Sequence, residues 1–203
     1  MSKDIQEITT TYHHGNLRIA LIEAGLDILS REGENNLSLR KVARAVGVSH
    51  AAPYRHFANK EALIAAIAEE GYQKLESGMK DALAQFPSDS VSQLIELGCA
   101  YIKFALENPN QLRVMFTDFS EDCELETGDT FVLLVNTIKK GQEADYIAAG
   151  DVIQFALTLW ATVHGLSILL IENKIPQVTL GATNAEEVAR ACIISSLNGV
   201  LKK

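Results

Sequence analysis

The chain has 203 residues, 47% of them hydrophobic and 22% charged, with only four prolines, a composition that belongs to a folded globular protein and excludes long disorder or a fibrous repeat. The formal charge of −8 at pH 7 would argue against nucleic acid if it were evenly spread, but residues 1–60 hold eight Lys or Arg against six Asp or Glu, and the rest ten against twenty. Three scattered cysteines, Cys99, Cys123 and Cys192, give neither a disulfide framework nor a zinc site and fit a reducing cytoplasm.

Apolar residues recur at spacings of three and four along nearly the whole chain, so it reads as all-α. The opening Met1-Ser2-Lys3-Asp4 lacks an apolar run, and no secretory signal is expected. A first helix is predicted from about Asn16 to Glu32, with Leu17, Leu21, Ala24 and Ile28 on one face and Gly33 as its stop. Ser38 is placed to cap a short second helix ending at Gly47, Ser49 a third reaching Phe57, and Asn59 a long fourth from Lys60 to about Phe86. On the fourth, Ile64, Ala68, Tyr72, Leu75, Met79, Ala82 and Phe86 advance in steps near 3.6, so one face is buried for its whole length.

After Pro87 the pattern predicts a helix from Val91 to Leu106, a break at Asn108-Pro109 and a short apolar piece from Leu112 to Phe119. An acidic loop from Ser120 to Asp129, a helix from Thr130 to Gln142 and an uncharged helix from about Asp151 to Asn173 follow. A loop containing Pro176 then leads to a last helix from Asn184 to Leu201, where Asn184 and Glu187 have the spacing of a capping box. The predicted organisation is a small head, residues 1–60, on a larger helical body, residues 61–203.

The uncharged run Val152 to Ile171 is long enough to span a bilayer. Gln154, Thr158, Thr162, His164 and Ser167 interrupt it, and Asp151 and Glu172 stand where basic or aromatic anchors belong. It is read as a helix buried in a core or subunit interface, with no membrane partner.

Chemistry concentrates in Ser38 to Lys60, which carries Arg40, Lys41, Arg44, Arg55 and Lys60 and no acidic residue. That is the footprint of a compact DNA-reading element on an acidic protein. Val42, Ala43 and Val46 give the second helix an inward face. Gly47 can take positive φ at a tight turn, and Val48 can plug the angle between helices. Ala43 and Ala51 are small where two helices would press together. The third helix would present its first turn to the major groove, with His50, Ala51, Tyr54 and Arg55 outward and Phe57 inward. Pro53 falls at the fourth position of that helix, where it removes only the first intrahelical bond. The rival reading is a ligand-binding or enzymatic bundle, or an interaction protein, with an incidental basic patch.

The runs Ala24-Gly-Leu-Asp-Ile-Leu-Ser-Arg-Glu-Gly33, Val42-Ala-Arg-Ala-Val-Gly-Val-Ser49 and Tyr54-Arg-His-Phe-Ala-Asn-Lys-Glu-Ala-Leu63 resemble the N-terminal domain of the TetR family of repressors over about fifty residues without a gap. Tyr12-His-His-Gly-Asn-Leu-Arg18 and Trp160-Ala-Thr-Val-His-Gly165 further resemble the branch named for a Trp and His-Gly signature. The resemblance implies a three-helix DNA-binding head on a helical effector-binding body, forming a homodimer through the last two long helices on a palindromic operator. It implies that Arg40 reaches a guanine edge, that His50 and Arg55 contact bases or nearby backbone, and that Tyr54, His56 and Lys60 hold phosphates. Ser38, Ser49 and Ala51 complete the expected DNA-facing set. Arginine suits the two acceptors of guanine, and Tyr, Lys and a helix N-terminus suit phosphate oxygens. One departure stands out: members often have Gly-Thr-Leu where this chain has Ala51-Ala52-Pro53, so a Thr hydroxyl contact is lost.

In the body, Tyr101, Phe104, Phe116, Phe131, Trp160 and His164 are the candidates to line a pocket for a small-molecule effector, alongside Phe119 and Phe155, with core packing as the alternative for each. Ala161, Gly165 and Ser167, with Cys192, Ser195, Ser196 and Gly199 on the last helix, are small enough for close helix approach at a dimer interface. Adjacent His13-His14 lacks the spacing of two metal ligands on one helical face. Cys123 lies between Asp122 and Glu124, whose charges would disfavour a thiolate, against a redox sensor. No nucleophile with an adjacent base, phosphate loop or HExxH pattern supports catalysis, and no cofactor is expected.

Overall fold

The structure is a computed structural model that describes residues 14–117, 119, 127–175, 184–198 and 201. Tyr12-His13, Cys123, the Pro176 loop, Gly199 and most of the acidic loop lie outside the described residues. Helices α1 (His14–Glu32), α2 (Leu39–Val46), α3 (Lys60–Ala84), α4 (Ser90–Glu107), α5 (Pro109–Met115), α6 (Thr130–Glu143), α7 (Val152–Ile171) and α8 (Ala185–Leu197) make up the described fold. Among the described residues there is no strand, only an isolated bridge between Ile147 and Leu201.

Contacts divide the chain into two compact units, 1–67 and 68–203. The boundary expected after Lys60 marks the first residue of α3, and the contacts divide inside that helix. In the first unit, Leu21, Ile22 and Ile28 of α1, Leu39, Val42 and Ala43 of α2, and Leu63 and Ile67 of α3 are buried together with Phe57. A Cβ at Gly25 would sit 3.1 Å from both Leu63 and Ile67 side chains, so α1 passes close to α3 where it carries no side chain. In the second unit, α4 packs against α6, α7 and α8, and α7 also packs against α6 and α8. Leu97, Ile102, Ile138, Ala156, Ile193 and Leu197 form much of that core.

Local side chains set most helix starts. Ser38 accepts from the Lys41 N–H at 3.2 Å, Asn59 from Ala62 N–H at 2.8 Å, and Asn184 from Glu187 N–H at 2.9 Å, each satisfying an amide the helix leaves without a partner. Asp89 and Asp151 cap α4 and α7 in the same way.

The expected third helix, Ser49 to Phe57, is not a full helix. Only Pro53–Arg55 winds, as a 3-10 turn whose N-cap, Ala52, makes no side-chain cap bond. Pro53 has no N–H to return to the Ser49 carbonyl, and its ring crowds that same turn. The Ser49 carbonyl instead accepts from Ala52 N–H at 3.0 Å, and Arg55 and His56 donate three residues back, to Ala52 and Pro53. The segment keeps its handedness but tightens. Ala51 is exposed rather than pressed between helices, whereas Ala43 is fully buried.

Candidate functional site

Gly47 makes the turn between α2 and the reading segment. It sits at φ 77°, ψ 28°, the left-handed region that glycine enters without penalty. Its N–H donates to Arg44 O at 3.2 Å and the Val48 N–H to Ala43 O at 3.0 Å, closing the end of α2 and sending the chain off at an angle. Beyond it the buried members are Pro53 and Phe57, the latter 3% exposed with the Arg18 guanidinium 5.6 Å above its ring. That inward anchoring leaves His50, Ala51, Tyr54 and Arg55 exposed, Tyr54 by 54%.

Arg40 and Arg44 are exposed on α2. Ser38 uses its oxygen as the α2 cap. His56 is half-buried, its ring 6.3 Å from Phe57. Lys60, at the first turn of α3, pairs with Glu34 at 3.1 Å, and Lys41 pairs with Glu32. Two of the five basic residues of the run thus pair with carboxylates inside the unit while staying partly exposed, and Arg40, Arg44 and Arg55 are exposed.

The second unit contains a cavity of about 250 Å³. Tyr72, Leu75 and Met79 of α3, Leu97 and Tyr101 of α4, and Trp160 and Val163 of α7 form walls, and Phe116, Phe131, Ile193 and Ser196 complete it. Among the described residues, none that lines it carries a charge. Of the eight expected candidates, Tyr101, Phe116, Phe131 and Trp160 line this space, and Phe119 and Phe155 do not. Phe104 does not, being 7% exposed and packed in the core. His164 is not on the wall either but stands behind it, its Nδ1 2.7 Å from the Tyr101 hydroxyl and its ring 4.6 Å from Phe116.

Trp160 ties the aromatic group together, with ring centres 5.9 Å from Phe131 and 6.1 Å from Phe116, distances at which offset and edge-on arrangements are favourable. Burial pushes the Tyr101 phenol up, so it stays neutral. Burial also pushes the His164 imidazole down, toward its neutral form.

The α3 lining residues and Gly98 were not singled out from sequence. Tyr72, Leu75 and Met79 lie on the predicted buried face of the long helix, which is the one signal that could have found them. Gly98 allows α4 to approach its neighbours: a Cβ there would lie 2.7 Å from Ile193 and 3.2 Å from Val163.

On the outer side of the unit, α7 is long and apolar enough to cross a membrane by length and composition, with little of it buried within the chain. It uses Ala156, Leu159, Val163, Leu166 and Ser167 inward. Ser167, expected on the interface, is fully buried with its hydroxyl donating to Val163 O at 2.7 Å. Ile153, Leu157 and Leu169 remain exposed, with Ala161 and Gly165 between them, and Ile194 and Ser195 are exposed on α8.

Residues 21–67 match the family model described as bacterial regulatory proteins, tetR family, and residues 94–193 that of a tetracyclin repressor-like C-terminal domain. The chain is 26% identical over 153 residues to the uncharacterized HTH-type transcriptional regulator YobS of Bacillus subtilis, covering 75% of this chain and 78% of that protein. Among solved structures, a protein of unknown function from Rhodococcus sp. RHA1 is 31% identical with a TM-score of 0.80, over 95% of this chain and 100% of that one. The TetR family transcriptional regulator PfmR from Thermus thermophilus has a TM-score of 0.70 at 23% identity, over 88% and 97%.

Proposed function

Because the chain belongs to the TetR family of bacterial regulatory proteins and is a DNA-binding transcription regulator, we propose that it acts in the cytoplasm as a homodimeric repressor, released from a palindromic operator by a small molecule. The observation that carries this reading is the folded run from Ser38 to Lys60. Gly47 turns the chain and Phe57 anchors it inward, leaving Arg40, Arg44, His50, Tyr54 and Arg55 exposed with no acidic residue among them. The tight reading turn brings a short, rigid set of side chains to base edges. Arg40 reads a guanine, His50 and Arg55 contact bases or adjacent backbone, and Tyr54, His56 and Lys60 hold phosphates.

Dimerisation fits the apolar outer face of α7 and α8. Leu157, Ala161, Gly165 and Leu169 recur every four residues along α7 and are exposed, and a charge-free helix left this open is better covered by a second copy than by water. A two-fold dimer then reads two half-sites about one helical turn or slightly more apart, roughly 34–36 Å. The largely apolar cavity supplies the effector site, and an effector releases DNA only in so far as it prefers the form that does not fit the operator.

Selection of random duplexes on the purified protein tests this function. The expected product is an inverted repeat bound by two chains, with affinity that falls steeply with salt. Enrichment of no sequence, or binding indifferent to salt, would remove it and favour a ligand-binding bundle with an incidental basic patch.

A further inference from the structure

Residues 14–67 of the first unit include seven Lys or Arg. Three are held by carboxylates: Arg31 by Asp27, Lys41 by Glu32 and Lys60 by Glu34. Among the described residues the other four, Arg18, Arg40, Arg44 and Arg55, form no ion pair, and all four are exposed. Arg40, Arg44 and Arg55 belong to the reading run. Arg18 does not, because it stands near the start of α1.

What holds Arg18 is an aromatic ring. Its guanidinium lies 5.6 Å from the centre of the Phe57 ring, within the range at which the ring face attracts a cation. On α1 it comes one turn before the buried Leu21 and Ile22, so its stem extends the inward stripe where the core ends and its charged head stays in water. Phe57 is the inward anchor of the reading segment, 3% exposed, and its ring stands 6.3 Å from that of His56. Lys60 follows three residues later. Arg18 is therefore tied to the end of the segment that holds His56 and Lys60, the residues read above as phosphate contacts.

A ring restrains a long side chain differently from a carboxylate. It narrows the positions available without neutralising the charge, and the planar fork of N–H donors remains open to an oxyanion. A phosphate that approaches Lys60 competes with Glu34. One that approaches Arg18 displaces no carboxylate among the described residues, since Glu23 and Glu61, the two of residues 14–67 outside those three pairs, form no ion pair with it.

We propose that Arg18 is a further DNA-binding residue, donating from its guanidinium to a backbone phosphate while Phe57 holds it in place. The inference rests on the reading of Ser38 to Lys60 as the DNA-binding element and extends that element to α1. It gives Phe57 a second task, because the ring that anchors the segment inward also sets a cation beside it. A phosphate contact adds affinity on any sequence and carries no base preference.

Full-length wild type, Arg18→Gln, Arg18→Lys and Arg31→Gln are bound to the selected operator and to a duplex of scrambled sequence, from about 50 to about 200 mM salt. Arg18→Gln keeps a polar side chain and removes the charge. It should bind both duplexes about tenfold more weakly at the lowest salt, the yield of one charged hydrogen bond. One phosphate contact accounts for a three- to fourfold fall across roughly that salt range, so the deficit should shrink to about threefold at the highest salt. Arg18→Lys keeps the charge and should keep the wild-type slope. Arg31→Gln removes a charge from the same helix, one already answered by Asp27, and should leave the slope unchanged.

An unchanged slope in Arg18→Gln, whatever its affinity, would make Arg18 a support for Phe57 alone and overturn the proposal. A loss confined to the operator would also overturn it, as the mark of a base contact, and so would an equal fall in slope from Arg31→Gln, as the mark of net charge. A wild type that binds neither duplex in a salt-dependent way removes the DNA-binding reading itself and this inference with it.

Discussion

Replacing Gly47 isolates the cost of the turn on which the DNA-reading geometry depends. The residue sits at φ 77°, ψ 28°, and a Cβ added there would meet nothing within 4 Å. The whole penalty is therefore conformational. An L-alanine in the left-handed region loses about 1–2 kcal/mol, offset by about 0.4–1 kcal/mol from the restricted unfolded chain, so Gly47→Ala should destabilise by about 1 kcal/mol. Asparagine tolerates this region better, and Gly47→Asn should lose about half as much. Valine, stiff at its branched Cβ, should lose more than alanine. Amide exchange across Leu39–Val46 reads the local stability, and duplex binding by anisotropy reads the reading segment's placement. The expected order is Gly, Asn, Ala, Val in both. Alanine matching glycine, or asparagine no better than alanine, would show that the turn is not held in this conformation and would refute the reasoning.

Other outcomes follow from specific contacts. Ser38→Ala removes the cap on Lys41 N–H and should cost about 1 kcal/mol in urea unfolding; no loss would mean the cap is dispensable. Leu157→Glu and Ile194→Glu, at sites 46% and 41% exposed in the single chain, should keep the helical spectrum but sediment as monomers, whereas a dimer unchanged by both would move the interface elsewhere. His164 titrates below its ordinary value because it is buried, so the unfolded chain binds the proton more readily. The body should therefore lose stability as pH falls from about 7 through the ordinary imidazole value near 6.5. Thermal unfolding of wild type and His164→Asn at pH 7.5 and 5.5 checks this: parallel curves would assign the pH response to other groups.

Much of the fold was legible in the sequence because it is written in short-range chemistry. Ser38, Asn59 and Asn184 cap by reaching amides three residues on, and Gly47 ends α2, all within one turn of helix. The exposed set His50, Ala51, Tyr54 and Arg55 and the inward Phe57 were likewise readable from their offsets. The helical form of that segment was not. By position Pro53 removes one bond near a helix start, but the missing N–H falls on the Ser49 carbonyl, and the first turn never reaches α-helical spacing.

The cavity was only half legible. Phe104 and Phe131 are equally aromatic, and what separates core from wall is the rotation of α4 and α6 against their neighbours, a long-range property no local pattern encodes. Ser167 makes the same point. Its small size suited an interface, while the packing of α7 turned it inward. Tyr72, Leu75 and Met79 show the converse, because a periodic apolar face announces burial without saying that the buried side meets a void.

The central claim, that Ser38 to Lys60 reads DNA by sequence, is tested most directly by binding Arg40→Ala and Lys60→Ala to a panel of single-base operator variants across a salt series. Arg40→Ala should cost roughly 1–3 kcal/mol and relax preference at one base pair of each half-site, while Lys60→Ala should weaken every sequence alike and reduce the salt slope by about one. Equal losses on every sequence for both variants would contradict the account.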